Sequence, residues 1–332
     1  MRKIVWGVLS TAKIGTTKVI PGMMKSDQLE IRALASRDLA SAREAAAKLG
    51  IPVAYGSYED LLADPAIEAV YNPLPNHLHV PLTLAAARAG KHVLCEKPIA
   101  LNADEAAQLR EVAGQVHIME AFMVRFHPQW QRARELVRGG RIGRLTGIQV
   151  WFSYFNNDPA NIRNRADIGG GALYDIGCYP VVAGRYFFEA EPLRVVSLAD
   201  RDPAFGTDRL FSALLDFGAG RQLNFSVAMQ TVPYQRIQLI GERGRIEILI
   251  PFNAPQGATT QIRLDDGRAL DGAGINTQNI AESDQYQLQG EAFSAAVRGD
   301  IPLPYGVDDA VQNMRIIDAL YASERQGGWV SL

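Results

Sequence analysis

The sequence predicts an α/β chain in which a doubly wound parallel sheet is followed by an α+β region with a large, open, mostly antiparallel sheet. Residues 1 to about 122 alternate short, continuously apolar runs with longer segments rich in Ala, Leu and charged residues. Continuous apolar strands separated by helices are typical of a parallel sheet covered on both faces. From about residue 145, apolar and polar residues alternate one by one, as in antiparallel strands with one buried face.

Length and composition indicate a globular protein of two domains. Because 332 residues are many for one hydrophobic core, we expect one domain at residues 1–122 and another at 123–332. The last helix is a candidate to pack back on the first domain. A hydrophobic content of 47% with 21% charged residues is ordinary for a globular protein. The formal net charge of -2 gives no electrostatic case for nucleic acid or a membrane as a partner.

The cysteines and the first strand predict a cytoplasmic protein. Cys95 and Cys178 lack CxxC or metal-ligand spacing, so we expect a reducing compartment rather than a disulfide framework. The apolar run Ile4–Leu9 is far too short to span a bilayer and indicates a buried strand rather than a signal peptide.

The first domain is predicted to contain five strands and three longer helices. The predicted strands are Ile4–Leu9, Glu30–Ala35, Ala69–Tyr71, His92–Cys95 and His117–Met119. The predicted helices are Leu39–Leu49, Leu78–Ala89 and Ala103–Ala113.

The second domain shows the pattern of a one-sided sheet. Leu223, Phe225 and Val227 alternate with polar neighbours, and Gly241–Gly244 predicts a hairpin turn between two later strands. The polar sheet face is either exposed to solvent or a subunit interface, and the open face favours a homodimer or homotetramer. Helices are predicted at Ala172–Phe188, across the sheet, and at Asp284–Arg298 and Asp308–Arg325.

The turn after the first strand lies where a dinucleotide-binding GxGxxG turn belongs. It reads Ser10-Thr11-Ala12-Lys13-Ile14-Gly15, so Ser10 and Ala12 replace two glycines. Small side chains still let a pyrophosphate approach the backbone N–H groups at the helix N-terminus. A small-residue turn without a ligand would look similar. In the context of the alternating strands and helices, it predicts a Rossmann domain.

The end of the second strand favours NADP(H) over NAD(H). An NAD-preferring site usually places an acidic residue there to bind the ribose 2′-hydroxyl. This chain has Ser36-Arg37, and Arg37 can pair with a 2′-phosphate and stack on adenine. The adjacent Asp38 either is the acidic ribose ligand, which would permit both cofactors, or caps the following helix.

A second wall of the cofactor site is predicted after the strand that ends near Tyr71. Pro73 and Pro75 fix the backbone near the expected nicotinamide ribose. Asn76 either contacts the cofactor or caps the helix that follows. His77 and His79 do not share a helical face, so we expect no metal site.

Two short motifs supply the candidate catalytic residues. Glu96-Lys97-Pro98 follows a strand of the parallel sheet, at the edge where such sheets bind ligands. Asp175 and Tyr179 follow the triplet Gly169–Gly171 and are spaced i and i+4, so they share one face of the predicted helix. Each residue alone has an ordinary structural explanation, whereas the three at this spacing indicate a catalytic set.

With these motifs the chain resembles the glucose–fructose oxidoreductase/inositol dehydrogenase/rhizopine-catabolism (Gfo/Idh/MocA) family over nearly its whole length. The resemblance implies a Rossmann domain followed by a large open sheet, and metal-free oxidation or reduction of sugars, cyclitols and related polyols with NAD(P). It implies that Lys97 binds the reacting oxygen and that Asp175 orients the substrate. Tyr179, where many inositol dehydrogenase-like members have His, is similar to the glucose–fructose oxidoreductase, aldose dehydrogenase and dihydrodiol dehydrogenase branches. Arg125 and Arg163 would then lie near the nicotinamide.

The motifs and the resemblance together give a set of expected contacts. The expected substrate contacts are Lys97, Arg163, Asp175 and Tyr179, with Arg165 as an alternative to Arg163. The expected cofactor contacts are Ser10, Thr11, Ala12, Lys13, Ile14, Ser36, Arg37, Tyr55, Asn72, Leu74, Pro75, Asn76, His79, Glu96, Lys97, Arg125, Ile162 and Arg163.

The chemistry of these residue types predicts hydride transfer from a carbinol carbon, for which Tyr179 is the acid/base. A free tyrosine has a pKa of roughly 10, and a nearby Lys97 ammonium would favour the phenolate. Asp175 would hydrogen-bond the reacting or a neighbouring hydroxyl.

The expected substrate is a polyhydroxylated ring, above all an aldose oxidised at C1 to a lactone, or the reverse reduction. An aldose–aldose or aldose–ketose reaction with retained NADP(H) is one variant. The alternatives are a dehydrogenase or reductase of another diol, ketose or cyclitol, and a sugar or nucleotide sensor without catalysis. Polar residues before the glycine triplet suit hydroxyl contacts or a surface loop, namely Asn156, Asn157, Asn161, Arg163, Asn164 and Arg165.

Overall fold

The computed structural model describes residues 2–332, which divide into two compact units. The first unit contains the residues up to Met123 together with Asp284–Met314, and the second contains Val124–Ser283 together with Arg315–Leu332. The first unit therefore includes a segment that the sequence analysis assigned to the second domain.

The first unit is built on a six-stranded sheet in which every strand pairs in parallel. The strand order is β3-β2-β1-β4-β5-β6, the order of a doubly wound nucleotide-binding sheet. The strands are β1 (Ile4–Leu9), β2 (Leu29–Ala35), β3 (Val53–Tyr55), β4 (Ala69–Asn72), β5 (His92–Cys95) and β6 (Ile118–Glu120).

The second unit contains a nine-stranded mixed sheet that is mostly antiparallel. Its order is β14-β13-β12-β11-β7-β10-β9-β8-β15, and only the β7–β10 pair is parallel among the described strands of this sheet. The strands are β7 (Leu145–Phe155), β8 (Arg194–Arg201), β9 (Asp208–Asp216), β10 (Gln222–Ala228), β11 (Gln230–Gly241), β12 (Arg245–Ile248), β13 (Ala258–Asp265), β14 (Ile275–Ser283) and β15 (Val330–Ser331).

Helices and helical turns complete the chain. The α-helices are α1 (Ile20–Met23), α2 (Leu39–Leu49), α3 (Tyr58–Ala63), α4 (His79–Arg88), α5 (Ala103–Ala107), α6 (Pro128–Arg138), α7 (Cys178–Phe188), α8 (Gln285–Arg298) and α9 (Val307–Gln326). Short 3₁₀ helices lie at Asn76–Leu78, Gln108–Glu111, Met123–Phe126, Ile162–Asn164 and Ala166–Ile168. π-Helical turns lie at Gly15–Val19, directly before α1, and at Leu173–Gly177, directly before α7.

The assignment of α8 to the first unit has a clear cause in packing. The ring of Trp6 on β1 is fully buried and lies 5.4 Å from the ring of Phe293 on α8. Its indole N–H donates to the Ser294 hydroxyl at 3.2 Å. Burial of two aromatic rings together is worth several kcal/mol, so α8 is part of the first core.

The fold class is confirmed, and the differences are local. The three-residue strand β3 was not predicted, and the helix predicted at Ala103–Ala113 changes to a 3₁₀ helix at Gln108. The hairpin at Gly241–Gly244 forms as predicted, with the Gly241 N–H donating to the Gly244 carbonyl at 2.9 Å.

Candidate functional site

The turn after β1 keeps the geometry of a glycine fingerprint although serine begins it. Ser10 has a φ of 97°, a left-handed conformation that favours glycine. Its N–H donates to the Ala35 carbonyl on β2 at 2.8 Å, and its hydroxyl accepts from the Ala12 N–H at 3.2 Å. The small side chains and this backbone path fit the approach of a dinucleotide pyrophosphate to the start of the helix.

The two charged residues at the end of β2, Arg37 and Asp38, make different contacts. The Asp38 carboxylate caps α2, accepting from the Ala40 N–H at 3.3 Å and from the Ser41 N–H and hydroxyl at 3.0 and 2.6 Å. Those hydrogen bonds, above all the one from the Ser41 hydroxyl, lower the pKa of Asp38. Burial raises the pKa of Tyr58 on α3, and the nearby charge of Arg37 opposes that shift, so Arg37 lies close to a hydroxyl that was not predicted from the sequence.

The turn between β4 and α4 is held by side chains predicted to touch the cofactor. The Asn72 amide donates to the His79 carbonyl at 3.1 Å, and its oxygen accepts from the Leu74 N–H at 3.3 Å. The ring nitrogens of His79 lie 2.7 Å from the Pro98 carbonyl and 2.6 Å from the Leu74 carbonyl. Burial lowers the pKa of His79 to about 4, although these hydrogen bonds oppose the shift. Both side chains therefore fix the loop, and their cofactor contact stays a prediction.

Lys97 follows β5 and its backbone is held by Glu96. The Tyr71 hydroxyl donates to one oxygen of Glu96 at 2.6 Å, and the Lys97 N–H donates to the other at 3.3 Å. The Glu96 N–H in turn donates to the Asn72 carbonyl at 3.0 Å. The carboxylate thus supports the position of the lysine, at the edge of the sheet where ligands bind in this fold class.

In the second unit, the segment before Asp175 is closed by the glycine triplet. The Gly170 and Gly171 N–H groups both donate at 2.9 Å, to the carbonyls of Arg165 and Arg163 respectively. A Cβ on Gly170 would lie 2.5 Å from the Arg163 carbonyl. Only glycine fits at this close approach, so the triplet determines where Arg163 lies.

Asp175 lies at the centre of a hydrogen-bonded cluster. Its Oδ2 accepts from the Tyr154 hydroxyl at 2.5 Å and from Nε of Arg163 at 2.9 Å. Asp175 raises the pKa of Arg163, and burial together with Asp175 raises the pKa of Tyr154. Both partners therefore keep their protons near neutral pH. Tyr154 was not predicted from the sequence.

Tyr179 lies at the start of α7, and only 5% of it is exposed. Its ring centroid lies 5.9 Å from that of Phe152 and 5.3 Å from that of Phe252. Asp175 belongs to the π-helical turn Leu173–Gly177 rather than to a regular α-helix, so the predicted i and i+4 relation holds in sequence but not as two positions of one α-helix. π-Turns inside helices are frequent at functional sites.

Several other predicted contacts have local roles in the structure. The Asn156 and Asn161 side chains accept hydrogen bonds from backbone N–H groups two residues later, and Arg165 pairs with Asp167. The Tyr55 hydroxyl donates to Asp64 at 3.0 Å. The remaining predicted cofactor contacts of the second unit are Arg125, buried in a 3₁₀ helix, and Ile162, which is exposed.

The helices and the ionisable side chains of residues 2–332 bear on other kinds of site. Within them, no helix is both long and apolar enough to cross a membrane. Among the same residues, no three His, Cys, Asp or Glu side chains lie close enough together to hold a metal ion.

Several proteins from other organisms resemble the chain over nearly its whole length. An oxidoreductase of Rhizobium meliloti is 47% identical over 98% of each chain. The D-xylose 1-dehydrogenase (NADP(+)) 2 of Haloferax volcanii is 40% identical over 99% of this chain and 100% of its own. The crystal structure of an aldose–aldose oxidoreductase from Caulobacter crescentus superposes with a TM-score of 0.91 at 27% identity, covering all of both chains.

Two family models match successive parts of the chain. The model of the oxidoreductase family with an NAD-binding Rossmann fold matches residues 4–124. The model of the GFO/IDH/MocA C-terminal domain matches residues 130–247. The chain therefore belongs to the GFO/IDH/MocA family of oxidoreductases, and its first unit is a nicotinamide-dinucleotide-binding Rossmann domain.

Proposed function

We propose that the protein is an NADP(H)-dependent oxidoreductase of sugars, which oxidises an aldose at C1 to the lactone or catalyses the reverse reduction. The Tyr154–Asp175–Arg163 cluster carries the proposal, because both donors bind Oδ2 of Asp175 and the carboxyl group can still accept a hydrogen bond from a substrate hydroxyl. Tyr179 follows Asp175 closely and supplies a phenol. The name of the Haloferax volcanii relative, a D-xylose 1-dehydrogenase, supports an aldose as substrate.

The proposed mechanism gives each residue one role. The turn Ser10–Gly15 and Arg37 would hold a nicotinamide dinucleotide, which would supply the hydride acceptor for the oxidation and the hydride donor for the reduction. Tyr179, as phenolate, takes the hydroxyl proton during oxidation and, as phenol, gives it back during reduction. Asp175 accepts a hydrogen bond from a substrate hydroxyl and orients the ring. Lys97 donates to the reacting oxygen, and its charge favours the phenolate form of Tyr179.

The test of this function is a substrate panel assayed with both cofactors. Aldoses, inositols and trans-dihydrodiols are each incubated with the enzyme and NADP(+) or NAD(+), and reduced cofactor is followed by absorbance. We expect the highest kcat/KM for an aldose with NADP(+), and a lactone as the product. Preference for an inositol or a dihydrodiol would instead favour the alternative of another cyclic polyol or diol.

A second candidate function is an aldose–aldose or aldose–ketose reaction in which the nucleotide is retained. The structural likeness to the Caulobacter crescentus aldose–aldose oxidoreductase over the whole chain favours it. In that case purified protein should carry about one nucleotide per chain through dialysis and convert sugar pairs without added cofactor. Nucleotide loss with turnover driven by added NADP(+) would rule this mode out.

The preference for NADP(H) is proposed to depend on Arg37. Asp38 caps α2, so Arg37 is the charged side chain at the end of β2 that can meet a 2′-phosphate. Arg37→Ala should raise the KM for NADP(+) about 10- to 100-fold, the loss expected for charge-assisted hydrogen bonds, with little change for NAD(+). Arg43→Ala, on α2, is the matched control. Equal KM values for NADP(+) in the wild type and Arg37→Ala would contradict this assignment.

We propose that a second copy of the chain covers the open face of the nine-stranded sheet. A cavity of about 630 Å³ lies on that face, and its lining includes Trp151, Leu198 and Tyr234 together with uncharged polar side chains and one charged residue, Arg236. Leu198 is 75% exposed and Tyr234 47%. Exposed aromatic and aliphatic side chains with few charged groups among them are typical of a subunit interface.

The proposed assembly predicts the effect of a charge on this face. Leu198→Glu should convert a dimer or tetramer to monomers at micromolar concentration, because a buried unpaired carboxylate opposes association. Leu270→Glu, at a fully exposed position between β13 and β14 of the same unit, should leave the mass unchanged. Analytical ultracentrifugation measures the mass of both variants. If Leu198→Glu keeps the mass of the wild type, the sheet face is exposed to solvent rather than an interface.

We further propose a cytoplasmic location. Both cysteines are buried free thiols, which supports a reducing compartment. Cell fractionation with an antibody to the chain tests this location.

A further inference from the structure

Asp208, the first residue of β9, is a buried carboxylate to which the proposed mechanism gives no role. Only 1% of it is exposed. One of its oxygens accepts from the Leu173 N–H at 2.7 Å, and the other accepts from the Tyr321 hydroxyl on α9 at 3.0 Å. Leu173 begins the π-helical turn that contains Asp175. The carboxylate therefore holds the first N–H of the segment that carries the proposed substrate ligand.

The same carboxylate also lies against the glycine triplet. Gly171 has a φ of 125°, and a Cβ there would collide with the Asp208 carboxylate. The Gly171 N–H donates to the Arg163 carbonyl, and its own carbonyl accepts from the Asp175 N–H at 3.0 Å. Asp208 thus contacts the one residue whose backbone links Arg163 to Asp175.

The surroundings of Asp208 leave its charge dependent on pH. Burial raises the pKa of Asp208 to about 6, against the opposing effect of its hydrogen bonds and of Arg201. Arg201 is itself paired with Glu324 on α9 at 3.0 Å. Burial and Asp208 together raise the pKa of Tyr321, whose ring lies 5.1 Å from that of Tyr174. Asp208 is therefore the group of this cluster that changes charge near neutrality.

We propose that Asp208, held by Tyr321, is a positioning residue that sets the distance and orientation of Arg163 and Asp175 for the substrate. The proposal rests on the proposed function of the Asp175 cluster. A neutral carboxyl or amide could still accept from the Leu173 N–H, but an ionised carboxylate accepts more strongly, and from two donors on two elements at once. Above a pH of about 6 the anchor is ionised, and as the pH falls below that value it is protonated and its hold on Leu173 weakens.

The experiment compares Asp208→Asn and Tyr321→Phe with Asp216→Asn. Asp216 lies at the other end of β9, where it accepts from Gly218 and Arg194. For wild type and variants, kcat, the KM for sugar, the Kd for NADP(H) and the profile of kcat against pH are measured between pH 5 and 9. We expect Asp208→Asn to lower kcat about 10- to 100-fold, as a misplacement of about 1 Å would, with the Kd for NADP(H) unchanged.

The pH profile separates positioning from a merely structural role. The wild-type log kcat should fall more steeply below pH 6 than that of Asp208→Asn, which has lost the titrating anchor. Tyr321→Phe should lower kcat less than Asp208→Asn does, and it should shift the pH at which log kcat begins to fall. Asp216→Asn should match the wild type in both respects. An Asp208→Asn variant with the kcat of the wild type and the same fall in log kcat below pH 6 would overturn the proposal.

Two further outcomes are decisive as well. If Asp208→Asn does not fold, the folded Tyr321→Phe variant tests the proposal instead. A kcat and a pH profile equal to those of the wild type would overturn the proposal, and a shift in the pH at which log kcat falls would support it. If the wild type oxidises no member of the sugar panel, the proposed function fails. The positioning role is then judged by whether Asp208→Asn weakens equilibrium binding of a sugar relative to Asp216→Asn, and unchanged binding overturns it.

Discussion

Tyr179→Phe is expected to lower kcat about 10²- to 10⁴-fold, the range that a positioned acid/base contributes. The substitution removes one hydroxyl and keeps the ring that packs against Phe152 and Phe252. The Rossmann unit is unchanged, so the Kd for NADP(H) should stay within about twofold. A fall in kcat without loss of cofactor binding would therefore report on proton transfer rather than on folding.

The matched control for this variant is Tyr186→Phe on the same helix. Tyr186 is also buried, and its ring packs against Trp130 and beneath the Arg134 guanidinium. It lies about two turns from Tyr179, roughly 10 Å along the helix, so removal of its hydroxyl should leave kcat within about twofold. Steady-state kinetics and fluorescence titration with NADP(H) measure both variants. Undiminished sugar-dependent turnover in Tyr179→Phe would show that another group moves the proton.

The parallel sheet could be predicted because each buried strand is a continuous apolar run between helical segments. The strand that escaped prediction, β3, has only three residues, and each is partly exposed. Such a segment carries too little periodicity to separate it from a loop. The change from α5 to a 3₁₀ helix at Gln108 is likewise a local adjustment, which helix propensity alone does not encode.

The grouping of α8 with the first unit was beyond sequence patterns for a different reason. Its apolar face predicts a helix with one buried side but does not say which core receives it. The contacts of Trp6 with Phe293 and Ser294 join positions almost 290 residues apart. Contacts of that separation depend on the tertiary fold, and one sequence does not reveal them.

The candidate site shows the same division between local and distant information. Lys97 and Asp175 could be singled out because short motifs precede them, and the glycine triplet indicated a tight approach that the structure contains. Tyr154, on β7, lies 21 residues before Asp175. The sequence alone does not distinguish it from an aromatic residue that only packs in a strand. Asp208 lies 35 residues after its partner Leu173. In the sequence it resembles any acidic residue at the end of a strand. Their roles depend on strand register and on the side chains they meet.

Lys97→Met is expected to lower kcat about 10²- to 10³-fold, because the variant keeps the length of the side chain but loses the charge proposed to act on the reacting oxygen. If Lys97 also favours the phenolate of Tyr179, the apparent pKa in the profile of kcat for oxidation should rise in Lys97→Met. Lys97→Arg keeps a positive charge with a different donor geometry. It should therefore retain the wild-type pKa while losing part of kcat.

The combination of Lys97→Met with Tyr179→Phe distinguishes one catalytic unit from two independent effects. Groups that act on the same proton transfer are strongly non-additive, so the double variant should be little slower than the slower single variant. Lys48→Met, on the exposed face of α2, controls for loss of a lysine as such. Multiplicative losses with an unchanged apparent pKa in Lys97→Met would mean that Lys97 only anchors the substrate. In that case Arg163, whose charge interacts with Tyr179, is the next candidate to assist the proton transfer.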